Sequence, residues 1–287
     1  MNIVLLASPK GGVGKTFLAA NLAALLASRA APHSVALLDL DPQDSARLHF
    51  GRLAGTRDGW ASRLARKEDP AQSFVATSGG VLLVPHGEVT SPVPDRPDAV
   101  PDDCAKELTP GEPPSRRLGP VLDALAARGV ATLICDSRPG RDETVEMVLS
   151  RTSLLLTVLL ADPASAALLP ECEKGWHLGP RVPRDLLGGR RSGYVLNQVD
   201  WSFALSERIA RGIAERLGDR LVGAICRDVA VMAGLAHASP VAEFAPASEA
   251  ARDLRAFADA VEQRLASAGT EEVVAEELPP LLRGILS

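Results

Sequence analysis

Short unbroken apolar runs alternate with longer segments of helical period along most of this chain. Residues Ile3 to Ala7, Val35 to Leu40, Val81 to Val84, Thr132 to Cys135, Leu154 to Leu160, Tyr194 to Leu196 and Val222 to Ile225 are each predicted as a strand buried on both faces, because each is a short continuous hydrophobic run. Between them, Thr16 to Ser28 places Leu18, Leu22, Leu25 and Leu26 on one stripe, and Ala250 to Ala266 does the same with Leu254, Phe257, Val261 and Leu265. This alternation requires right-handed crossovers, so the predicted fold class is α/β: a doubly wound, mainly parallel sheet with helices on both faces. From Pro85 to Pro114 the rhythm fails, since eight prolines among aspartates and glutamates sustain neither period. The expected organisation is one domain over residues 1–268 with a proline-rich loop at 85–115, then an acidic tail at 269–287. That tail carries Leu278-Pro279-Pro280-Leu281-Leu282 and reads as a disordered end or as a docking peptide.

Composition narrows the picture. A chain of 287 residues, 46% apolar and 23% charged, has material for a large core, and global disorder is excluded. The net charge of −5 argues against a surface coated by nucleic acid, so any DNA contact must be local; the best candidate patch holds Arg181, Arg184, Arg190 and Arg191. Cys104, Cys135, Cys172 and Cys226 are widely spaced, and Cys135 and Cys226 lie in apolar runs, a pattern of free thiols in a reducing compartment. The apolar start Met1 to Ala7 has no basic leader and meets a glycine loop too soon for a signal peptide or a membrane span, which points to the cytoplasm.

The chemistry begins where the first predicted strand meets the first helix, at Ser8-Pro9-Lys10-Gly11-Gly12-Val13-Gly14-Lys15-Thr16-Phe17. Backbone N–H groups and a helix N-terminus converge there, which makes a phosphate cradle. Gly11, Gly12 and Gly14 allow close backbone approach, Lys15 brings charge to the β and γ phosphates, and the Thr16 hydroxyl can ligate Mg²⁺. Two stricter patterns fail: Pro9 stands where G-x-x-x-x-G-K-[ST] has its first glycine, and Phe17 ends the match to G-x-G-x-x-G. Lys10 is a second loop lysine in a chain that has only five.

Acids follow at strand ends, the edge where open α/β sheets bind ligands. Asp39 and Asp41 end the second predicted strand, and alternation turns both the same way. Asp136 ends the run Thr132 to Cys135 and is a candidate Mg²⁺ ligand, because hard cations prefer oxygen donors. Farther on, Asn197-Gln198-Val199-Asp200 offers an amide and an acid to a purine edge. It differs from the guanine-reading N-K-x-D pattern at Gln198, which leaves GTP as the alternative to ATP.

Taken together, Pro9-Lys10-Gly11-Gly12-Val13-Gly14-Lys15-Thr16 resembles the deviant Walker A motif of the MinD and ParA class of P-loop ATPases. The resemblance implies an ATP-binding site with Mg²⁺, in which Gly11 to Phe17 bind the nucleotide. It also implies a nucleotide-dependent homodimer in which Lys10 reaches the partner's phosphates, as a cation supplied in trans. In that class the segment Asp39-Leu40-Asp41-Pro42-Gln43 corresponds to the first switch: by position, Asp41 is similar to the family residue that orients the attacking water, Asp39 lies nearer the metal beside Thr16, and Asp136 is the Walker B candidate. Asn197 corresponds to the adenine contact, and Arg227-Asp228 resembles the segment that closes over the base, which makes Asp228 a further candidate. Arg138 departs from the proline or small residue usual in the second switch.

Within that class, Arg47-Leu48-His49-Phe50 with Asp58-Gly59-Trp60, the Asn197 motif and Arg227-Asp228 look like the BcsQ type, the ATPase of bacterial cellulose synthesis and secretion operons. The implied role is a slow ATPase switch that regulates or assembles the cellulose synthase complex through small accessory proteins at the inner membrane. Trp60 and Phe50 are expected to pack under the first switch. The alternatives are a ParA-like partitioning ATPase that uses DNA, or an adaptor that binds ATP with negligible turnover. Direct membrane docking is disfavoured, since Glu271, Glu272, Glu276 and Glu277 would be repelled by anionic lipid.

Overall fold

Every predicted apolar run is a strand in the computed structural model, which describes residues 1–51, 57–89, 118–187 and 189–267. The strands are Asn2–Ala7 (β1), Val35–Asp39 (β2), Val75–Ala76 (β3), Val81–Val84 (β4), Thr132–Asp136 (β5), Leu154–Leu160 (β6), Ser192–Val199 (β7) and Leu221–Cys226 (β8). They form one eight-stranded sheet in the order β3-β4-β2-β5-β1-β6-β7-β8. All pairings are parallel except β3 with β4. Sequence reading did not find β3, because two residues carry no period to read.

The helices are Lys15–Ala27 (α1), Trp60–Ala65 (α2), Gly119–Ala127 (α3), Glu143–Leu149 (α4), Pro163–Glu173 (α5), Ala204–Leu217 (α6), Val229–Ala236 (α7), Val241–Phe244 (α8) and Glu249–Ser267 (α9). Continuous apolar runs are needed because both sheet faces are covered. On β1, Val4 and Leu6 join the core under α1 and α9, whereas Ile3, Leu5 and Ala7 join the core on the other face under α2, α3 and α4. A third cluster closes the β6–β8 end, where Leu159, Tyr194 and Ala224 meet Leu169 of α5 and Ile213 of α6.

Cys135, Cys172 and Cys226 are buried free thiols, as expected; Cys104 lies outside the described residues. Residues 90–115 of the proline-rich loop and the expected tail at 269–287 also lie outside them. No described helix is long and apolar enough to cross a membrane.

Candidate nucleotide-binding site

β1 and β5 are neighbours at the centre of the sheet, and the segment 8–14 leaves β1 to enter α1. Gly12 and Gly14 hold the left-handed backbone that this turn requires, with φ of 73° and 86°. Gly14 caps α1 without any side-chain bond, and the first turn of α1 has no acid. Its leading N–H groups are therefore open to an anion. By contrast, α5 and α7 are capped by the carboxylates of Asp162 and Asp228.

The loop is held from the tip of β7. The Asn197 amide donates to the Val13 carbonyl at 2.8 Å, and a Cβ on Gly14 would sit 2.3 Å from that amide nitrogen. One of the two Asn197 N–H donors is thus used on the loop. Lys15 is buried, and its Nζ donates to Ser8 Oγ at 3.1 Å, while Ser8 Oγ donates to the Lys10 carbonyl at 2.6 Å. Burial lowers the Lys15 pKa, and the charges of Asp136 and Asp41 oppose that shift.

Asp39 and Asp136 are register partners on adjacent strands, both fully enclosed. Their environments differ. Asp39 accepts from the Asp41 amide at 2.9 Å and the Ala46 amide at 3.0 Å, so its carboxylate anchors the first switch. Its own carbonyl takes the Trp60 indole N–H at 2.8 Å, so the expected packing of Trp60 comes with a bond to the switch. Among the described residues neither Asp136 oxygen has a partner within hydrogen-bond geometry, the Thr16 hydroxyl being the polar side chain beside it. Burial pushes the Asp136 carboxyl up to about 7, against the nearby Thr16 hydroxyl and Lys15 ammonium. Burial and then the Asp136 charge also raise Asp39 well above the usual carboxylate range. The enclosed Asp136 carboxylate, with Asp39 beside it in register, fits a hard divalent cation. Asp136 and Thr16 are placed where they could hold it. Asp39, expected near the metal, lies beside Asp136 in register, and each of its oxygens accepts one backbone amide, from Asp41 and Ala46.

Asp41, partly exposed, accepts from the Gln43 amide at 3.0 Å and faces Lys15 and Asp136 closely enough to influence both. The second switch leans on the phosphate loop: Ser137 Oγ donates to the Leu6 carbonyl at 2.7 Å, the Gly140 amide donates to the Ser8 carbonyl at 2.8 Å, and a Cβ on Gly11 would lie 3.7 Å from Pro139. Arg138, the departure from the usual pattern, pairs within its own segment with Asp142 at 3.3 Å.

Two candidates have partners that the sequence did not reveal. The Lys10 ammonium is folded back onto Asp162, 2.5 Å away, at the N-terminus of α5. The sequence Asp162-Pro163 carries a helix-start signal, but nothing in it indicates a partner on the first loop. Asp228 accepts from the amides of Ala230 at 2.8 Å and Ala250 at 3.1 Å. Its carboxylate therefore ties the starts of α7 and α9 together.

Comparison with known proteins agrees with this geometry. The CobQ/CobB/MinD/ParA nucleotide binding domain matches residues 4–241. The chromosome partitioning protein ParA of Caulobacter vibrioides is 26% identical over 258 residues, 84% of this chain and 86% of that protein. Among solved structures, the MinD cell division protein of Aquifex aeolicus superposes with a TM-score of 0.67 at 15% identity, covering 96% of this chain and all (100%) of that one. The MinD protein of Pyrococcus horikoshii complexed with Mg-ADP gives 0.66 at 18% identity, covering 94% of this chain and 99% of its own. Cobyrinic acid a,c-diamide synthase of Mycobacterium smegmatis, with bound ADP and magnesium, gives 0.65 at 19%, covering 94% and 97%. With its uncapped glycine loop, its paired acids at neighbouring strand ends and a match over most of its length, the chain belongs to the CobQ/CobB/MinD/ParA nucleotide-binding family.

Proposed function

We propose that this chain is an Mg²⁺-dependent ATPase that works as a nucleotide-controlled dimeric switch. The observation that carries the reading is Asp136, an enclosed carboxylate with both oxygens unpartnered, beside Lys15 and the uncapped start of α1. Related structures hold ADP with magnesium. When bound, Mg²⁺ would supply charge neutralisation for the phosphates. The chain's own groups do the rest: Gly11 to Phe17 bind the phosphates, Asn197 meets the base, and Asp41 orients the attacking water.

Dimerisation is the step at which Lys10 acts. Its ion pair with Asp162 leaves the two side chains 25% and 35% exposed. A pair that open contributes only about 0–1 kcal/mol, so exchange of Asp162 for a second copy's phosphates is cheap. Isothermal titration with Mg-ATP tests the binding step, and Lys15→Ala is expected to weaken affinity about 100-fold or more. Lys10→Ala should keep measurable binding but lose ATP-dependent dimers in sedimentation and lose turnover. Normal dimers from Lys10→Ala would contradict the trans-acting role.

For the client, the motif set around Arg47, Trp60 and Arg227 favours accessory proteins of a cellulose synthase complex. The second reading, a DNA- or cargo-partitioning ATPase, is favoured by the resemblance to a chromosome partitioning protein. Against a DNA patch, Arg181 is paired with Glu146 and Arg191 with Asp185, so these two cations are neutralised locally. ATP-dependent retention on DNA that falls steeply with salt would favour partitioning, and capture of cellulose synthase subunits would favour the first client. An adaptor with negligible turnover is separated from both by single-turnover hydrolysis in the parent and in Asp41→Ala.

A further inference from the structure

The turn that carries Asp41 is closed by the Asp44 amide, which donates to the Asp41 carbonyl at 2.8 Å. Asp44 has φ of 51°, a left-handed conformation that a residue with a side chain adopts at a cost. Its carboxylate gives the reason. One oxygen accepts from the His86 amide at 3.0 Å and the other from the Gly87 amide at 3.2 Å, the two backbone groups just past Pro85 at the end of β4. Arg47 pairs with the same carboxylate and also donates to the Asp58 carbonyl at 3.2 Å.

The strand end that Asp44 grips is itself part of a block. A Cβ on Gly59 would lie 2.2 Å from the Gly87 amide nitrogen, and one on Gly87 would lie 2.4 Å from the Gly59 nitrogen, so the two backbones touch. The Trp60 and Ala61 amides donate to the carbonyls of Pro85 and His86. The Trp60 ring stands edge-on to the His86 ring, with centroids 5.2 Å apart. The start of α2 and the end of β4 are thereby fused, outside the phosphate loop.

We propose that Asp44 is the positioning residue of the first switch: by gripping the His86 and Gly87 amides it fixes the Asp41 turn to the α2–β4 block and so sets where Asp41 meets the water. The inference rests on the role given to Asp41 above. A displacement of that block reaches the Asp41 turn through the Asp44 carboxylate, beside the Trp60 bond to the Asp39 carbonyl, and neither link passes through the phosphate loop.

Asp44→Gly is the test, since glycine accepts the left-handed backbone and what is lost is the carboxylate, with its grip on the two amides and its pair with Arg47. Hydrogen exchange of the His86, Gly87 and Gln43 amides reads the grip and the turn directly, because Gln43 is bonded to the Asp41 carboxylate. Exchange at all three should quicken by about tenfold or more, with Mg-ATP affinity within about threefold and single-turnover hydrolysis down about tenfold or more. Asp44→Asn retains one acceptor oxygen and should recover part of both effects. Unchanged exchange at Gln43, or parental hydrolysis in Asp44→Gly, overturns the proposal. If the parent chain hydrolyses nothing, the ATPase reading fails instead, and Gln43 exchange alone still decides whether Asp44 holds the turn.

Discussion

Gly14 and Asp136 each act through a single geometric fact. At Gly14 the backbone is left-handed and the Asn197 amide occupies the space of a Cβ. Gly14→Ala is expected to displace Asn197 from Val13 and to lower Mg-ATP affinity by about 100-fold, measured by calorimetry. For Asp136, burial raises the folded-state pKa to about 7, well above its ordinary value of 3.8. A carboxyl raised in this way stabilises the fold while protonated, and that contribution is lost as pH rises from its unfolded value through about 7. Without metal, Asp136→Asn should therefore melt at a higher temperature than the parent at pH 8 and at nearly the same temperature at pH 4. The variant should also lose the parent's stabilisation by Mg-ATP. Equal melting of parent and variant across that range would contradict an enclosed, unpartnered carboxylate. Residue type and position were legible in advance for Lys15, Thr16 and Asp136, because strand, glycine loop and acid at a strand end follow from local pattern. The partners of Lys10 and Asp228 were not, since those bonds join segments 152 and 22 residues apart.

At the scale of elements, most of the sheet was readable and the joints were not. Strands buried on both faces declare themselves as continuous apolar runs, whereas β3 is too short to show a period. Joints depend on single carboxylates. Asp228 caps α7 and also takes the Ala250 amide at the start of α9, so Asp228→Ala should cost about 1–3 kcal/mol. For a domain of this size that is a fall in melting temperature of roughly 2–10 °C by calorimetry. Nucleotide affinity should fall less in Asp228→Ala than in Gly14→Ala, because the carboxylate holds the segment near the base rather than the phosphates. The first switch follows the same logic: Asp39, at the end of β2, also takes the amides of Asp41 and Ala46. Spacing places an acid at a strand end but does not say whether backbone amides or a cation will take its lone pairs.

For the whole molecule, nucleotide binding should appear as stability. Ligand at 100 times its dissociation constant adds about 2.7 kcal/mol, so saturating Mg-ATP should raise the melting temperature by roughly 5–10 °C in the parent. No comparable rise is expected in Lys15→Ala, and a parental response there would contradict the binding role of the ammonium. The sequence by itself determined the α/β class, the central strands and the phosphate loop, because burial on both faces and the glycine turn leave marks within a few consecutive residues. Only the tertiary structure decided which acids remain unpaired, where Lys10 rests and how Asp44 joins the first switch to a distant strand end. Those depend on which backbone amides the fold brings within about 3 Å of each oxygen, and a linear pattern does not contain that distance.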